Sequence, residues 1–419
     1  MTTSEILENA KRIKNTVALM STEQKNAALI KMAEAIEEEK DAILRANNVD
    51  LNNMQGIMSD VMLDRLALSE QRIRSMAENM RAMAKIPDPI GVTLDEYETC
   101  NGLRIKKVSV SIGVIALIYE SRPNVTADAA AMALKTGNVC ILKIGKEAYG
   151  SARAIINAMR KGLKKAGVSQ SVLSLIEDTS RKSATELMTA VGYIDLLIPR
   201  GGKGLIDACV SYAKVPCIQT GTGVCHVYVD EYADTEKALN IIENAKCSRP
   251  SVCNAMEVLL LHKNISESFL PLLYNRLITD RKENAVKLKL DNRAFAILGG
   301  RHNCFSAEEG DFDTEFLDYV MSVKIVDGVK DAASHIAAHS TGHSDCIVTE
   351  NEENSKLFTR TVDSAAVYVN ASTRFTDGGE FGMCGEIGIS TQKLHARGPM
   401  GLKELTSYKY VIVGNGNIR

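Results

Sequence analysis

A cysteine that follows a proline-containing loop is the residue of this sequence best suited to covalent chemistry. Cys253 lies in the segment Arg249-Pro250-Ser251-Val252-Cys253-Asn254, shortly before an apolar run, residues 258–261, that predicts a buried strand. A small nucleophile is thereby fixed at the end of a packed element. A thiolate attacks an acyl carbon and leaves it readily, which suits the formation and discharge of a thioester. A lone cysteine is more often a small core residue, so the rest of the sequence must decide.

Two glycine clusters follow predicted strands and could receive a phosphate. Arg200-Gly201-Gly202-Lys203-Gly204 comes just after the apolar residues 194–198, where backbone N–H groups and a helix N-terminus could bind an anion. The second cluster is Gly221-Thr222-Gly223. Neither cluster satisfies the dinucleotide fingerprint GxGxxG. A standard Rossmann mode of dinucleotide binding is therefore disfavoured, and each cluster taken singly is equally compatible with a structural turn.

Strands and helices alternate through most of the sequence that must position these residues. Residues 1–85 predict helices. Strands are predicted at 108–112, 114–119, 139–143, 172–176, 194–198, 226–229, 257–261, 294–298, 321–326 and 366–369, and helices at 127–135, 151–166 and 183–190. This alternation is typical of an α/β fold in which helices cover both faces of a parallel sheet.

Length and composition narrow the class of protein. A chain of 419 residues is too long for one core and predicts two or three domains. A net charge of −2 and the absence of tryptophan argue against nucleic-acid or anionic-membrane binding. No signal peptide and no apolar run of spanning length is found. Ten cysteines without a repeating spacing predict a reducing cytoplasm, and no Cys/His cluster has the spacing of a metal site.

Several segments carry a resemblance to a known family. They are residues 89–92, 113–124, 198–202, 245–254, 335–345 and 386–402. Together they resemble the aldehyde dehydrogenase superfamily and, within it, the reductases that act on L-glutamyl 5-phosphate. The resemblance runs from the first helices to the terminal strand.

The resemblance implies an aldehyde dehydrogenase-like α/β fold, with two doubly wound parallel-sheet domains and a small β oligomerisation flap. The expected boundaries are 1–98 and 112–228 for an NADP-binding domain, 229–404 for the catalytic domain, and 99–111 with 405–419 for the flap. An edge strand in such a flap invites pairing with a second subunit. A homodimer or homotetramer is therefore expected.

The resemblance also implies a reaction, the NADPH-dependent reduction of L-glutamyl 5-phosphate to L-glutamate 5-semialdehyde with release of phosphate, a step of proline biosynthesis. Cys253 would be the nucleophile that forms the thioester. The backbone N–H of Cys253 and the side-chain amide of Asn124 would stabilise the charge that develops on the carbonyl oxygen. From the residues alone, Asn124 is equally compatible with a turn-capping amide.

One departure from the superfamily pattern favours an acyl-phosphate reductase. Hydrolytic members carry a glutamate that activates water before the catalytic cysteine, whereas this sequence reads Ile218-Gln219-Thr220-Gly221. An amide cannot act as a general base. Two alternatives stay open: a coenzyme A-acylating enzyme, which also lacks this glutamate, and a non-catalytic subunit with the same fold.

The expected cofactor is NADP(H). Many NAD-preferring relatives carry Lys-Pro-x-Glu after the second strand, and this sequence carries Lys143-Ile144-Gly145-Lys146. A lysine in place of the glutamate attracts a 2′-phosphate instead of repelling it, although Lys146 is also compatible with an ordinary exposed lysine. Gly201 and Gly202 are expected near the cofactor phosphates. Glu315 aligns with the carboxylate that holds the nicotinamide ribose in the superfamily.

The amino-acid end of the substrate needs a cation for its carboxylate and acceptors for its ammonium group. The candidates are Arg122, Arg374 and Arg397, with Ser372 and Asp345 as polar partners. His343 is a candidate contact of the acyl phosphate. Three histidines spaced by four, at 335, 339 and 343, could instead lie along one helix face or in a loop as ordinary polar residues. A glutamate 5-kinase would be a separate polypeptide and a candidate partner that hands over the acyl phosphate.

Overall fold

The structure is a computed structural model that describes residues 1–419 and every side chain except that of Val61. The helices are α1 (Thr3–Ala18), α2 (Thr22–Glu38), α3 (Lys40–Met54), α4 (Asp60–Leu66), α5 (Glu70–Lys85), α6 (Asn124–Lys135), α7 (Tyr149–Lys165), α8 (Arg181–Met188), α9 (Lys203–Tyr212), α10 (Thr235–Cys247), α11 (Lys263–Tyr274), α12 (Asn292–Leu298), α13 (Val329–His339) and α14 (Glu352–Thr361). The strands are β1 (Thr93–Glu98), β2 (Arg104–Ser111), β3 (Val114–Tyr119), β4 (Val139–Ile144), β5 (Leu173–Leu175), β6 (Leu196–Arg200), β7 (Cys225–Val229), β8 (Met256–His262), β9 (Lys287–Leu290), β10 (Cys304–Ser306), β11 (Val320–Val326), β12 (Ser344–Val348), β13 (Ala366–Val369), β14 (Ile389–Ser390), β15 (Gly398–Pro399) and β16 (Thr406–Val413).

The chain divides into two compact units. Unit 1 contains Met1–Thr220, Gly382–Gly388 and Pro399–Arg419, and unit 2 contains Gly221–Phe381 and Ile389–Gly398. The observed change of unit at Gly221 precedes the expected domain boundary at residue 229. The units are defined by their packing and not by what they bind, so the assignment of a cofactor domain and a catalytic domain stays a prediction.

Unit 1 is built on a four-stranded parallel sheet in the order β5-β4-β3-β6. β3 and β4 are buried along their whole length, as expected for strands covered on both faces. Helix α2 begins with a capping box in which Ser21 and Gln24 satisfy each other's backbone N–H groups. The strand order reverses beside β3, because β4 and β5 extend the sheet to one side and β6 returns to the other.

Unit 1 also carries a three-stranded antiparallel sheet in the order β1-β2-β16. The two strands expected for the flap correspond to β2 and β16. β1 adds a strand that precedes the expected boundary at residue 99, and all six of its residues are exposed. Its sequence contains only two large apolar side chains, Leu94 and Tyr97, and therefore shows no sustained alternation from which a strand could be predicted.

Unit 2 is built on a seven-stranded parallel sheet in the order β10-β9-β11-β8-β7-β12-β13. β7, β8 and β12 are buried throughout and pack against helices on both faces. One apolar cluster contains Leu259, Leu261 and Val323, and the other contains Val258, Leu260 and Ile347. The α/β class with two parallel sheets and a small antiparallel sheet is confirmed.

One predicted strand is wrong. Residues 294–298 lie in helix α12, which begins after Asp291, whose Oδ1 accepts a hydrogen bond from the N–H of Ala294 at 2.8 Å. Ala294 and Leu298 are buried four residues apart on one helix face. A five-residue apolar run has no periodicity that separates a strand from a buried helix, and here the N-cap residue favours the helix.

Candidate active site

The amino ends of the strands of unit 2 bring together residues that are distant in sequence. Gly223 precedes β7, Cys253 precedes β8, Glu315 precedes β11 and His343 precedes β12. These strands are neighbours in a parallel sheet, so the residues before them meet at the same edge. The edge collects the predicted nucleophile, the predicted ribose-binding carboxylate and the predicted phosphate-contacting histidine.

Cys253 is partly exposed in the loop between α10 and β8. Its carbonyl oxygen accepts a hydrogen bond from the thiol of the buried Cys225 at 3.2 Å. Gly223 packs against the same carbonyl, where a Cβ atom would overlap the oxygen. Burial raises the pKa of the Cys225 thiol well above its usual value, which keeps it protonated as a donor. Cys253 is therefore partly exposed while Cys225 and Gly223 hold its backbone carbonyl.

The next residue anchors a second predicted segment beside the nucleophile. Asn254 is buried, and its side-chain amide donates to the carbonyl oxygens of Thr376 at 3.0 Å and Arg374 at 3.2 Å. The hydroxyl of Thr373 donates to the carbonyl of Asn254 at 2.7 Å. These bonds tie the Ser372–Thr376 segment to the Cys253 loop. Two predicted substrate residues, Ser372 and Arg374, are thus brought to the predicted nucleophile.

Arg374 is partly buried and bonded within this cluster. Its Nε donates to the hydroxyl of Ser248 at 3.1 Å, and its Nη1 contacts Oδ1 of Asn254. Burial, reinforced by the positive charge of Arg249, lowers the pKa of the Arg374 guanidinium, which nevertheless stays charged at neutral pH. A fixed cation beside the Cys253 loop is suited to holding a carboxylate.

His343 is fully buried behind the loop. Its Nδ1 lies 2.7 Å from the hydroxyl of Ser344 and 3.8 Å from the thiol of Cys225. The Ser344 hydroxyl continues to Thr376 Oγ1 at 2.6 Å, which in turn meets the hydroxyl of Tyr368 at 2.7 Å. The imidazole is therefore linked to the loop by buried polar groups rather than placed on an exposed helix face.

Asp345 and Arg397 are engaged elsewhere in unit 2. Oδ1 of Asp345 accepts from the N–H of His226 at 2.8 Å, and its Oδ2 accepts from the hydroxyls of Ser340 and Ser364. Arg397 is exposed, and its Nη1 donates to Asp363 Oδ1 at 2.8 Å. Neither residue has a described contact with Cys253 or Arg374.

Unit 1 places its predicted cofactor residues at the carboxyl edge of its sheet. Glu120 follows β3, and Gly201 and Gly202 follow β6, on the two sides of the point where the strand order reverses. Ligands of doubly wound sheets bind at this kind of crevice. The N–H of Gly202, which precedes α9, donates to Oε2 of Glu120 at 2.9 Å. The glycine loop therefore already holds an anionic group.

The two predicted lysines near this edge have different surroundings. Lys143 is buried at the end of β4, and its ammonium group donates to the carbonyl of Thr179 at 3.2 Å. Burial lowers the pKa of Lys143, and the negative charge of Glu147 partly opposes this shift. Lys146 is exposed two residues beyond the strand. Lys146 is accordingly the more accessible of the two charges.

Asn124 is partly exposed as the first residue of α6, and Arg122 lies in the turn before it. The Asn124 side chain is bonded to the carboxyl group of Asp128, one helical turn later. Desolvation raises the pKa of Asp128 to about 6, although hydrogen bonds from Asn79 and Asn124 favour its ionised form. Asp128 is not predicted from the sequence as a partner of Asn124. The signal for this contact is its position four residues after Asn124 on the same helix.

Comparison with known proteins decides the family. A model described as the aldehyde dehydrogenase family matches residues 1–288, more than half of the chain. The chain belongs to the aldehyde dehydrogenase family. This family member is 56% identical over 418 residues to a γ-glutamyl phosphate reductase of Streptococcus suis, with 100% of each chain covered. The crystal structure of γ-glutamyl phosphate reductase from Thermotoga maritima is 42% identical, with a TM-score of 0.94 and 100% of both chains covered.

More distant structures support the aldehyde dehydrogenase fold alone. An acetylating aldehyde dehydrogenase from Geobacillus thermoglucosidasius is 18% identical, with a TM-score of 0.72 and coverage of 100% of this chain and 97% of that one. The resemblance predicted from the sequence is confirmed. Membership of the aldehyde dehydrogenase family implies a nicotinamide cofactor and a small-molecule substrate. Among the described residues, no helix combines the length and apolar character needed to cross a membrane.

Proposed function

We propose that this chain reduces L-glutamyl 5-phosphate to L-glutamate 5-semialdehyde with NADPH and releases phosphate, a step of proline biosynthesis. The observation that carries the proposal is the partly exposed Cys253, whose loop is bonded to a segment that presents Arg374. A thiol and a fixed cation suit a substrate that has an activated acyl group at one end and a carboxylate at the other. The names of relatives that match the whole chain support this substrate.

Acylation is proposed to take place at Cys253. Its thiolate sulfur attacks the acyl carbon, an S–C bond forms, and the bond from that carbon to the phosphate oxygen breaks as phosphate leaves. The backbone N–H of Cys253 and the side-chain amide of Asn124 are the proposed donors to the carbonyl oxygen. Gln219 stands where hydrolytic relatives carry a carboxylate, and an amide cannot remove a proton from water. The thioester is thereby preserved for reduction.

Binding of NADP(H) is assigned to the residues predicted for it from the sequence. The N–H of Gly202 already accommodates the carboxylate of Glu120, so the loop formed by Gly201 and Gly202 fits an anionic phosphate. Lys146, with Lys143 behind it, would attract a 2′-phosphate, and Glu315 would bind the nicotinamide ribose. Bound NADPH would supply the hydride that reduces the thioester carbon, and breakage of the S–C bond then releases the aldehyde and restores the Cys253 thiolate.

Recognition of the glutamyl group is assigned first to Arg374 and Ser372, because Asn254 ties their segment to the nucleophile. Arg122, in the turn before Asn124, is a second cation for the substrate. His343 is buried behind the Cys253 loop. It is proposed to act from there on the side of the site that binds the acyl phosphate. Asp345 and Arg397 are weaker candidates, since each is already bonded to groups outside this cluster.

The experiment runs the reaction in reverse, with NADP⁺ and glutamate semialdehyde formed from pyrroline-5-carboxylate. Phosphate is expected to be required for NADPH formation, and coenzyme A is expected not to replace it. Cys253→Ser should reduce turnover by at least about a thousandfold while NADP(H) still binds, and Cys384→Ser, at an exposed cysteine of unit 1, is the matched control. Coenzyme A dependence would make the chain an acylating enzyme, and unchanged turnover in Cys253→Ser would exclude the thioester.

An oligomer and a location complete the proposal. β16 is exposed along nearly its whole length and presents Tyr410, Ile412 and Val413 to solvent. An open sheet of this kind is completed by a second copy of the chain, so a homodimer or homotetramer is proposed.

The cytoplasm is proposed from the ten cysteines, since no disulfide joins any of those in the described structure. A separate glutamate 5-kinase is the proposed source of the acyl phosphate.

A further inference from the structure

A buried ion pair joins the two ends of the loop that carries Cys253. Lys246 lies in the last turn of α10, and Glu257 is the second residue of β8. Their side chains are fully buried, with Nζ of Lys246 2.5 Å from Oε2 of Glu257. Removing two charges from water is costly, so a buried pair is weak evidence for a stabilising role. The position of this pair requires another explanation.

The second oxygen of Glu257 reaches a strained turn. Its Oε1 accepts a hydrogen bond from the N–H of Leu317 at 3.3 Å. Leu317 has a φ of 56°, a left-handed conformation that is unfavourable for a branched aliphatic residue. Such a conformation persists only where its surroundings impose it. Glu257 supplies one of those constraints from the strand next to β11.

The same turn carries Glu315, and Glu315 returns to the nucleophile. The carboxylate of Glu315 accepts from the N–H of Gly223 at 2.8 Å, and Gly223 packs directly on the carbonyl of Cys253. These contacts form a continuous series. It leads from the Cys253 loop through Glu257, the Leu317 turn, Glu315 and Gly223 and returns to Cys253. Every member belongs to unit 2.

We infer that Glu257, held by Lys246, is a positioning residue that fixes the Glu315 carboxylate relative to the Cys253 thiol. The inference rests on the proposed function, in which Cys253 forms the thioester and Glu315 binds the nicotinamide ribose. Glu257 itself has no exposed surface and touches no reactant. Its effect is on alignment, where a displacement of about 1 Å costs on the order of a hundredfold in rate.

Two double variants distinguish a positioning role of Glu257 from a contribution of the ion pair to folding stability. Lys246→Met/Glu257→Gln removes both charges and keeps an acceptor oxygen for the N–H of Leu317, whereas Lys246→Met/Glu257→Leu removes the acceptor as well. Replacement of a buried pair by uncharged residues of similar volume preserves folding in other proteins, so similar urea midpoints are expected. Lys25→Met/Asp88→Leu, at the buried pair of unit 1 with Nζ 2.5 Å from Oδ2, is the matched control.

The readouts are the dissociation constant of NADPH from fluorescence, the rate of Cys253 alkylation by iodoacetamide, and kcat and KM. The Gln variant is expected within about threefold of wild type in all four. The Leu variant is expected to bind NADPH at least about tenfold more weakly and to lose at least about tenfold in kcat, with little change in KM for the acyl phosphate. In a Glu315→Gln background the same change should add almost nothing, because coupled residues are not additive.

Equal NADPH binding and kcat in the Gln and Leu variants would overturn the inference and leave the pair a structural one. Glu257→Asp provides the same test if the Leu variant does not fold, because it keeps the charge but shortens the side chain by one methylene. The carboxylate then cannot reach Lys246 and Leu317 together, and the same loss of NADPH binding is expected. A wrong substrate assignment would appear in the phosphate-dependence assay and would leave the difference in NADPH binding between the Gln and Leu variants unaffected.

Discussion

The loop that carries Cys253 in unit 2 and the glycine loop of unit 1 are held in different ways. The Cys253 loop is held by contacts to backbone groups. Gly223 packs on the carbonyl of Cys253, and the side-chain amide of Asn254 donates to two carbonyl groups of the Ser372–Thr376 segment. The glycine loop is exposed, and Gly202 is bonded to the tip of one flexible side chain, that of Glu120. The Cys253 loop is therefore held in one position, whereas the glycine loop can exchange the Glu120 carboxylate for another acceptor.

This difference corresponds to two chemical requirements. A covalent step needs a reacting atom held in one geometry before the substrate arrives. Anion binding at backbone N–H groups needs donors that can release one acceptor and accept another, as exchange of the Glu120 carboxylate for a phosphate would require. A rigid nucleophile loop and an adaptable phosphate loop are therefore what an enzyme of the proposed kind requires.

The largest expected effect comes from adding a Cβ atom at Gly223, beside the Cys253 loop, and the matched change is at Gly201 in the glycine loop. In Gly223→Ala the new Cβ would overlap the carbonyl oxygen of Cys253, which cannot move without shifting the nucleophile. In Gly201→Ala the new Cβ would meet the ends of two side chains, the carboxylate of Glu120 and Cδ2 of Leu205, and both can rotate away. We expect kcat to fall at least about a hundredfold in the first variant and less than about threefold in the second. Steady-state kinetics check this, and equal losses would show that the two loops are equally rigid.

The next effect concerns the stability of the two buried ion pairs. Lys246→Met leaves Glu257 fully buried without its cation, at an expected cost of about 3–5 kcal/mol. Lys25→Met should cost about 1–3 kcal/mol, because Asp88 is 12% exposed and keeps bonds from the Thr22 hydroxyl at 2.9 Å and the Ile90 N–H at 3.0 Å. Urea unfolding of the two variants measures the difference. A larger loss in Lys25→Met would contradict the expectation that Glu257 depends on its lysine more than Asp88 does.

Two strands that lead to residues in contact with these loops, β3 before Glu120 and β13 before the Ser372–Thr376 segment, could be predicted from the sequence because their signals are local. β3 and β13 coincide with apolar runs bounded by polar or glycine residues, and the observed bounds match the predicted ones. The prediction that Cys253 is the nucleophile rests on its neighbours along the chain, which carry the family pattern. The segment 294–298 fails for the complementary reason, since five apolar residues satisfy a strand and a buried helix turn equally well.

The contacts that hold the Cys253 loop could not be predicted in this way. Glu257 and Leu317 are 60 residues apart, and they meet because β8 lies beside β11 in the sheet. An alternation of strands and helices predicts a parallel sheet but does not give the order of its strands. Asp345 illustrates the same limit, because its type and position suit a ligand, while the strand order places it against the His226 backbone.

The smallest expected effect distinguishes the two units by pH. All seven histidines of the chain lie in unit 2, and His335 is buried with its Nε2 unpartnered. Burial, reinforced by the neighbouring His226, His339 and Lys324, lowers the pKa of His335 to about 3. In the unfolded chain the imidazole takes up a proton near pH 6.5. Between these values the unfolded state binds a proton that the folded state excludes, so acid favours unfolding.

The free energy of unfolding of unit 2 should therefore fall as the pH drops below about 6.5, by at most about 1.4 kcal/mol per pH unit from this group. Hydrogen exchange, corrected for its intrinsic pH dependence, should show β7 and β8 losing protection between pH 7.5 and 5.5 before β3 and β4 do. His335→Leu removes the titrating group, and its Nε2 takes no hydrogen bond with it, so the variant should lose less protection than wild type over this range. If wild type and variant lose protection equally, the acid sensitivity belongs to the carboxylates, which both units share, and not to the buried imidazole.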